Sequence, residues 1–579
     1  MKSETLIVRR PAAVIPDGFP ADLHPVLARV YAARAVASAE QLQHGLALLP
    51  SHNQLKGIDA AVKLLLDALE QQQRILVVGD FDADGATSTA LAVRALHAMG
   101  AKHVDFLVPN RFEYGYGLTP EIVAVAAERK PALIVTVDNG IASLQGVEAA
   151  HARGMQVLVT DHHLPAAQLP QAEAIVNPNQ PGDSYPSKNL AGVGVIFYVM
   201  LALRAALRER GWFNTDIPEP NLAQLLDLVA LGTVADVVVL DHTNRILVAQ
   251  GLARIRSGQA CAGIRALLAI AGRQPARIVS ADLGFAVGPR LNAAGRMADM
   301  SLGIRCLLSD DEAEARELAQ QLDKFNRERR ATEDDMHNDA LMELQKFFDT
   351  EESTTLPFGL CLYKPEWHQG VIGILASRIK ERLHRPVIIF TDSGDDEIKG
   401  SARSVSGVHI RDALDAIAAR HPGLLSKFGG HAMAAGMTLR RSDFELFRDA
   451  FDEEVHRHLS AEDLQGVVLS DGELVVEEID LALAETLRQA VPWGQGFPEP
   501  LFDGEFEVEQ HRVVGERHLK LKLRWPGTRR LIDAIAFHAD LDRWSEPVKR
   551  VQAAYRLDVN EYRGERTIQL IIEYLTPLI

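Results

Sequence analysis

Ile75-Leu76-Val77-Val78-Gly79-Asp80-Phe81-Asp82-Ala83-Asp84-Gly85 sets a short apolar run directly before three carboxylates in five residues. One acid at such a place can be solvated or can cap a helix; three are difficult to hold together without a cation. The pattern recurs twice. Leu133-Ile134-Val135-Thr136-Val137 ends in Asp138-Asn139-Gly140, and Val157-Leu158-Val159-Thr160 ends in Asp161-His162-His163. Each β-rich run gives way to an alanine-rich helical stretch, which predicts a parallel α/β sheet with all three acidic sites on its carboxyl edge, where such sheets bind ligands.

The rest of the chain extends this frame. A chain of 579 residues is too long for one core and should divide into about three or four domains. Residues 1–50 read as a helical, proline-marked lead-in, and 51–308 as the parallel α/β domain, with strands expected at Ile75–Val78, Val104–Val108, Leu133–Val137, Val157–Thr160 and Ala174–Val176. Residues 309–350 hold no Gly or Pro up to Phe347 and open on Ser309-Asp310-Asp311-Glu312, a helix start, so they predict a long helical connector. A second, smaller α/β domain follows at 351–462, and short alternating strands at 463–579 read as a small β-barrel of the OB type.

Composition narrows the function. The net charge of −17 argues against wrapping duplex DNA and confines any nucleic-acid site to a local basic groove. Cys261, Cys306 and Cys361 fall in no paired spacing, so neither a disulfide framework nor a thiolate zinc site is indicated. The N-terminal residues lack the apolar core of a signal peptide, and no apolar run is long enough for a membrane helix. A soluble, cytoplasmic protein is expected, with no membrane partner.

Asp82 and Asp84, read as pointing the same way from an extended segment, could with Asp138, His162 and a further acid hold two divalent cations about 4 Å apart. One imidazole of His162-His163 would ligate metal while the other, on the opposite side of the backbone, meets a phosphate oxygen; Asp161 would orient a ring. Lys399-Gly400-Ser401-Ala402-Arg403-Ser404 and Lys427-Phe428-Gly429-Gly430-His431 read as Gly-punctuated basic loops able to take phosphate oxygens. Across His511 to Arg530, seven Lys or Arg stand against the single acid Glu516. There Lys520, Lys522 and Arg524 should share one strand face, with leucines behind them and Trp525 as a base-stacking surface. Gly192 and Gly194 read as packing glycines. Arg111, Arg290 and Arg296 serve either phosphate contacts or structural ion pairs.

Together, the Asp80–Gly85 segment, Val137-Asp138-Asn139-Gly140, Asp161-His162-His163 and Leu231-Gly232-Thr233-Val234-Ala235-Asp236 resemble the four motifs of the DHH phosphoesterase superfamily. Segments 109–118, Gly288-Pro289-Arg290-Leu291-Asn292-Ala293-Ala294-Gly295-Arg296 and Trp367-His368-Gln369-Gly370-Val371-Ile372-Gly373 resemble its RecJ-type single-strand exonuclease branch, as does Val78, where small-substrate members often carry a histidine. The resemblance implies a DHH catalytic domain, a helical connector, a DHH-associated substrate domain and an OB-like barrel. It adds Asp236 to Asp82, Asp84, Asp138 and His162 as metal ligands, sets Asp80 and Asp161 in or just behind that shell, and turns His163 to the scissile phosphate. Arg111, Arg290, Asn292, Arg296, Ser401, Arg403, Lys427 and His431, with Lys520, Lys522 and Arg524, become the nucleic-acid and phosphate contacts.

The activity so implied is hydrolysis of single-stranded DNA from the 5′ end to mononucleotides with two Mn²⁺ or Mg²⁺ ions, in recombination and repair. Single-stranded DNA is the expected partner of a monomer, and a helicase and a single-strand-binding protein are the candidate recruiters. Two alternatives stand beside it: another superfamily phosphodiesterase, acting on oligoribonucleotides or cyclic dinucleotides, and a non-catalytic DNA-binding replication scaffold.

Overall fold

The structure, a computed structural model, describes residues 5–110, 117–350, 356–394, 396–515, 518–539, 541–544, 548–562 and 564–578. It opens with strand β1 (Thr5–Arg9) and helix α1 (Pro25–Ala32). The predicted α/β alternation then forms a five-stranded sheet of β2 (Ile75–Val78), β3 (Val104–Leu107), β4 (Leu133–Val137), β5 (Gln156–Thr160) and β6 (Ala174–Val176), in spatial order β3-β2-β4-β5-β6 and parallel throughout. Every residue of β2 and β4 is buried, because helices cover both faces of the sheet.

Register does the rest. Val78 pairs with Thr136, and Val137 with Thr160, so Asp80, Asp138 and Asp161 come level just beyond the last paired rungs. Helices α2 (Ala83–Ala98), α3 (Gly192–Glu209), α4 (Leu226–Ala235) and α5 (Gly288–Met297) gather around that edge. The small side chains of α2 let it be buried on nearly all sides. Next comes the predicted connector, one helix α6 (Glu312–Thr350) of 39 residues. Asp311 Oδ1 caps it, accepting from Ala313 N at 2.7 Å and Glu314 N at 2.9 Å.

The chain divides into two compact units, and the division falls inside α6, between Asn326 and Arg327. The first unit joins β1 to Arg327–Ser470. It contains β7 (Leu360–Tyr363), helix α7 (Ile372–Leu383), β8 (Val387–Gly394), β9 (Glu397–Arg403), β10 (Lys427–Gly430) and β11 (Ala434–Arg440) in one sheet of order β10-β11-β9-β8-β7, and β12 (Gly466–Ser470), which pairs in parallel with β1. The expected basic loops around Ser401 and Lys427 are therefore strands. Their glycines do not break the ladder, because Gly400 and Gly436 occupy paired rungs between neighbouring strands.

The second unit, Arg10–Asn326 with Asp471–Ile579, contains the parallel sheet and a closed barrel of β13 (Phe502–Val514), β14 (His518–Arg524), β15 (Leu531–Ala536), β16 (Arg550–Tyr562) and β17 (Glu565–Leu578). A continuous apolar core runs from the sheet to the barrel. The segment read as a lead-in contributes to it: Tyr31 of α1 stacks on Trp493 and Phe497. Arg34, just after α1, makes a two-pronged pair with Asp471, at 2.8 and 2.9 Å, and its Nε donates to the Pro498 carbonyl at 2.8 Å. Both charged side chains are at most 2% exposed. Among the described residues, no helix is long and apolar enough to cross a membrane.

Removing one partner of a buried pair strands the other charge in a low-dielectric interior. Arg34→Ala should therefore cost about 3 kcal/mol, read as a lower urea midpoint by tryptophan fluorescence. An unchanged midpoint would mean that Asp471 is neutralised some other way.

Candidate active site

Three groups of donor atoms, each within 4.8 Å of one another, meet at the carboxyl edge of the parallel sheet: Asp80, Asp82 and Asp138; Asp84, His162 and Asp236; Asp138, His162 and His163. Asp138 and His162 each belong to two of the groups. His162 Nε2 lies 3.1 Å from Asp138 Oδ1, 3.5 Å from Asp236 Oδ2 and 4.0 Å from Asp84 Oδ2. Asp138 holds its place at a positive φ of 61°, a conformation that Asp tolerates better than most residues.

The local backbone differs from the extended segment expected at Asp82 and Asp84. Asp82 is the N-cap of α2, accepting from Gly85 N at 2.9 Å, and Asp84 lies in the first turn of the helix. Residues two apart on a helix do not face each other, so the two acids serve different groups. The histidines also depart from expectation. Asp161 Oδ1 accepts from the backbone N–H of both His162, at 2.7 Å, and His163, at 3.0 Å. That turn brings both rings to one side of the backbone, their centroids 4.5 Å apart.

Asp161 does orient a ring: its Oδ1 meets His163 Nδ1 at 2.7 Å, while Oδ2 accepts from Ile141 N at 2.9 Å. Burial alone would raise the Asp161 pKa, but the His163 hydrogen bond and charge hold it below the usual carboxylate range. His163 shows the converse balance: burial opposes its charge, yet Asp161 raises its pKa to about 9. His162 is lowered, by burial and by the neighbouring His163 charge. The pair thus splits into a neutral imidazole among the acids and a cationic one beside it.

The carboxylates are uncomfortable without a counter-charge. Burial and then repulsion from Asp236 raise Asp84 to about 7; burial and then repulsion from Asp82 raise Asp236 to about 7. Asp138 is pushed up as well, by burial first and by its acidic neighbours second. Asp236 is the C-cap of α4, where the helix dipole further disfavours a negative charge. His162 Nε2 and Asp236 Oδ2 are buried atoms without a hydrogen-bond partner among the described residues. An orphaned imidazole nitrogen and an orphaned carboxylate oxygen, facing each other among further acids, fit a divalent cation.

Several contributors escaped the sequence reading. Gly192, taken for a packing glycine, opens α3 against the site: its N–H donates to Asp84 Oδ2 at 2.6 Å and that of Val193 to Oδ1 at 2.9 Å. A Cβ at Gly192 would stand 2.6 Å from that of Asp138. After β6, Asn177 Nδ2 donates to the His163 carbonyl at 2.9 Å and Asn179 Nδ2 to the His162 carbonyl at 2.6 Å. The only signal for these asparagines was their place after an apolar run, the same place that the three acidic sites occupy.

The remaining candidates are distributed as follows. Arg111 lies outside the described residues. Arg290 Nε pairs with Asp323 at 2.9 Å and its Nη1 donates to the Ala286 carbonyl at 2.6 Å, the structural role left open for it. Asn292 Oδ1 accepts from Ala83 N at 2.7 Å and so completes the first turn of α2. Arg296 stands in the last turn of α5.

Ser401, Arg403, Lys427 and His431 fall in the other unit, on one sheet face. Ser401, Gly436 and Gly429 form one rung there; Arg403 and Ala434 pair on the next, where His431 N donates to the Ala434 carbonyl at 2.8 Å. Arg403 Nη1 is 3.3 Å from Ser401 Oγ, and no carboxylate partners Arg403 among the described residues. In the barrel, Leu519, Leu521 and Leu523 are buried as predicted, with Lys520 and Lys522 on the other strand face. Arg524 is tied to Glu507 and Glu509, at 3.0 and 2.9 Å, and Trp525 is buried edge-on against Phe506, which removes it as a stacking surface.

Comparison with known proteins agrees with this layout. The DHH family N-terminal domain matches residues 74–233, the DHHA1 domain 357–457 and the RecJ OB domain 470–574. The chain is 55% identical to the single-stranded-DNA-specific exonuclease RecJ of Dickeya dadantii and 53% identical to that of Escherichia coli, over 100% of each chain. It superposes on a crystal structure of RecJ with Mn²⁺ from Thermus thermophilus at a TM-score of 0.79 and 30% identity, covering 100% of this chain and 80% of that one.

The raised carboxylates give a pH signature. An acid whose folded pKa exceeds its unfolded value binds more protons when native, so its contribution to stability is greatest at low pH and falls as pH rises from about 4 through about 7 for Asp84 and Asp236. Cation binding removes that penalty. The rise in Tm on adding Mn²⁺ to chelator-treated protein should be larger at pH 8 than at pH 5, and Asp236→Asn should flatten the difference. Equal shifts at both pH values would disconnect these acids from the cation.

Proposed function

Because the chain belongs to the RecJ family of single-stranded-DNA-specific exonucleases, we propose that it hydrolyses single-stranded DNA with divalent cations held at the acidic edge of the parallel sheet, in DNA recombination and repair. The observation that carries this reading is the sharing of Asp138 and His162 between donor groups, which suits two adjacent cations better than a single isolated one. Asp82, Asp84, Asp138, His162 and Asp236 would hold them, with Asp80 beside. An oxygen-rich set with one neutral imidazole suits Mn²⁺ or Mg²⁺. Cations bound there supply Lewis acidity at the scissile phosphate and lower the pKa of water at neutral pH.

The chain's own groups do the rest. Asp161 raises the His163 pKa and fixes its ring through Nδ1, so a protonated His163 would donate through Nε2 to a phosphate oxygen as charge builds there. The amides of Gly192 and Val193 fix Asp84 before substrate arrives. Asn177 and Asn179 hold the backbone beneath both rings. A complete set of acids and imidazoles favours an enzyme over a non-catalytic scaffold, and a basic strand on a closed barrel favours a polymeric strand over a dinucleotide.

Polarity would come from the other unit. Lys399, Ser401 and Arg403 share a face with Lys427 and His431, and two of the intervening positions are Gly429 and Gly436, whose missing side chains leave open space. The first turn of α7 lies over this face, since a Cβ at Gly373 would stand 2.9 Å from both Arg403 Nη2 and Ser401 Oγ. A guanidinium, a hydroxyl and a helix N-terminus are the groups that bind a terminal phosphate. Capture of the 5′-phosphate there, with stepwise release of mononucleotides, is the 5′ to 3′ reading.

On 5′-labelled single-stranded, duplex and dinucleotide substrates, Mn²⁺-dependent release of mononucleotides is expected from the single strand alone. Asp138→Ala should abolish it while largely sparing strand binding; turnover above about 10% of wild type would remove Asp138 from the centre. A 5′-phosphorylated strand should be cut faster than a 5′-hydroxyl strand, and Arg403→Ala should erase most of that preference. A mutant that keeps the full preference would move the phosphate site elsewhere.

A further inference from the structure

Beside Asp236 the molecule exposes an apolar lip that the chemistry above does not use. Val237 is 62% exposed and adopts φ +62°, a left-handed conformation that is an outlier for a β-branched residue. Val239 is 38% exposed. Phe285, 79% exposed, sits in a single π-helical turn, Leu283–Val287, directly before α5. That turn packs on the end of α4: a Cβ at Gly284 would stand 3.2 Å from Val234 Cγ1 and 3.9 Å from the Val234 carbonyl oxygen, and one at Gly288 would stand 3.1 Å from Ala235 Cβ. The same Val234 carbonyl accepts from Val237 N at 3.3 Å. The turn that carries exposed Phe285 and the end of α4 that leads through Asp236 to exposed Val237 are thus packed against each other.

The turn is fastened rather than loose. Leu283 and Val287 are fully buried beneath Phe285, and Arg290, anchored by Asp323, donates to the Ala286 carbonyl within the π-turn. A π-turn, a left-handed valine and an exposed phenylalanine each carry a cost, and such costs collect at functional sites. At the edge of a site for phosphodiester chemistry, the ligand that suits flat apolar surface is a nucleobase, and only an unpaired base offers its face.

We propose that Phe285, with Val237 beside it, stacks against an unpaired base of the strand whose phosphate lies at the acidic cluster, and so contributes to the preference for single strands. The proposal rests on the exonuclease reading. Phe285 and Val237 are substrate-positioning residues in it, and the chemistry stays with the acids and histidines.

The test compares steady-state kinetics on a single strand with those on the same strand carrying abasic sites in place of its bases near the 5′ end, all with Mn²⁺. Phe285→Ala should raise KM on the normal strand about 10-fold with kcat changed far less, and should leave KM on the abasic strand unaltered, because the lost contact is to a base. Phe285→Trp should restore the normal KM. Val237→Gly guards against a folding artefact: glycine suits φ +62°, so Tm should hold or rise while KM increases. Equal KM increases on normal and abasic strands, or none on either, would overturn the stacking role while leaving the exonuclease reading intact. Failure of the wild-type protein to cut any single strand would overturn both.

Discussion

Like charge gathered at one end of the parallel sheet is the constraint that the rest of the second unit answers. Register alone brings Asp80, Asp138 and Asp161 level, and two helix ends deliver Asp84 and Asp236 to the same volume. In a buried setting such acids repel one another and resist ionisation. The fold responds by spending backbone dipoles on them: the amides opening α3 hold Asp84, and Ile141 N and the two histidine amides hold Asp161. Where dipoles run out, at Asp236 and His162, buried atoms are left for a cation.

This arrangement explains why two adjacent histidines differ. Both are partly buried, and each has a ring nitrogen within 4.0 Å of Asp138 Oδ1. Asp161 chooses between them, because its side chain reaches the ring of one and only the backbone of the other. Asp161 therefore makes His163 the cation, fit to meet a phosphate, while burial and that neighbouring charge keep His162 neutral, fit to ligate.

Much of this was legible in the sequence, for a physical reason. Strands buried on both faces are mostly apolar and β-branched, so β2, β4 and β5 announce themselves, and the acids after them mark the sheet edge. The long helix was legible because nothing in it breaks a helix. What stayed hidden depends on groups without a side-chain signature or on contacts distant in sequence. Gly192 acts through its N–H and its lack of a Cβ, and composition cannot separate that from packing. Ser401 and Lys427 read as loops because glycine usually punctuates, yet here glycine sits within a paired ladder. Trp525 and Arg524 showed their chemistry but not their partners, Phe506, Glu507 and Glu509, which the pairing of β14 with β13 supplies.

The pairing of Arg34 with Asp471 also sets a timetable. The partners are 437 residues apart, with the whole of Arg327–Ser470 between them in the chain. At synthesis rates of about 5–20 residues per second, Arg34 leaves the ribosome roughly twenty to ninety seconds before the carboxylate that neutralises it. β1 waits slightly longer for β12, carrying Leu6 and Val8 along an unpaired edge. Throughout that interval the nascent chain carries a cation without its partner and, separately, an open strand, the kind of edge that chaperones bind and that aggregates nucleate upon. Slower translation lengthens that interval, and a chaperone that covers the open strand shortens its exposure.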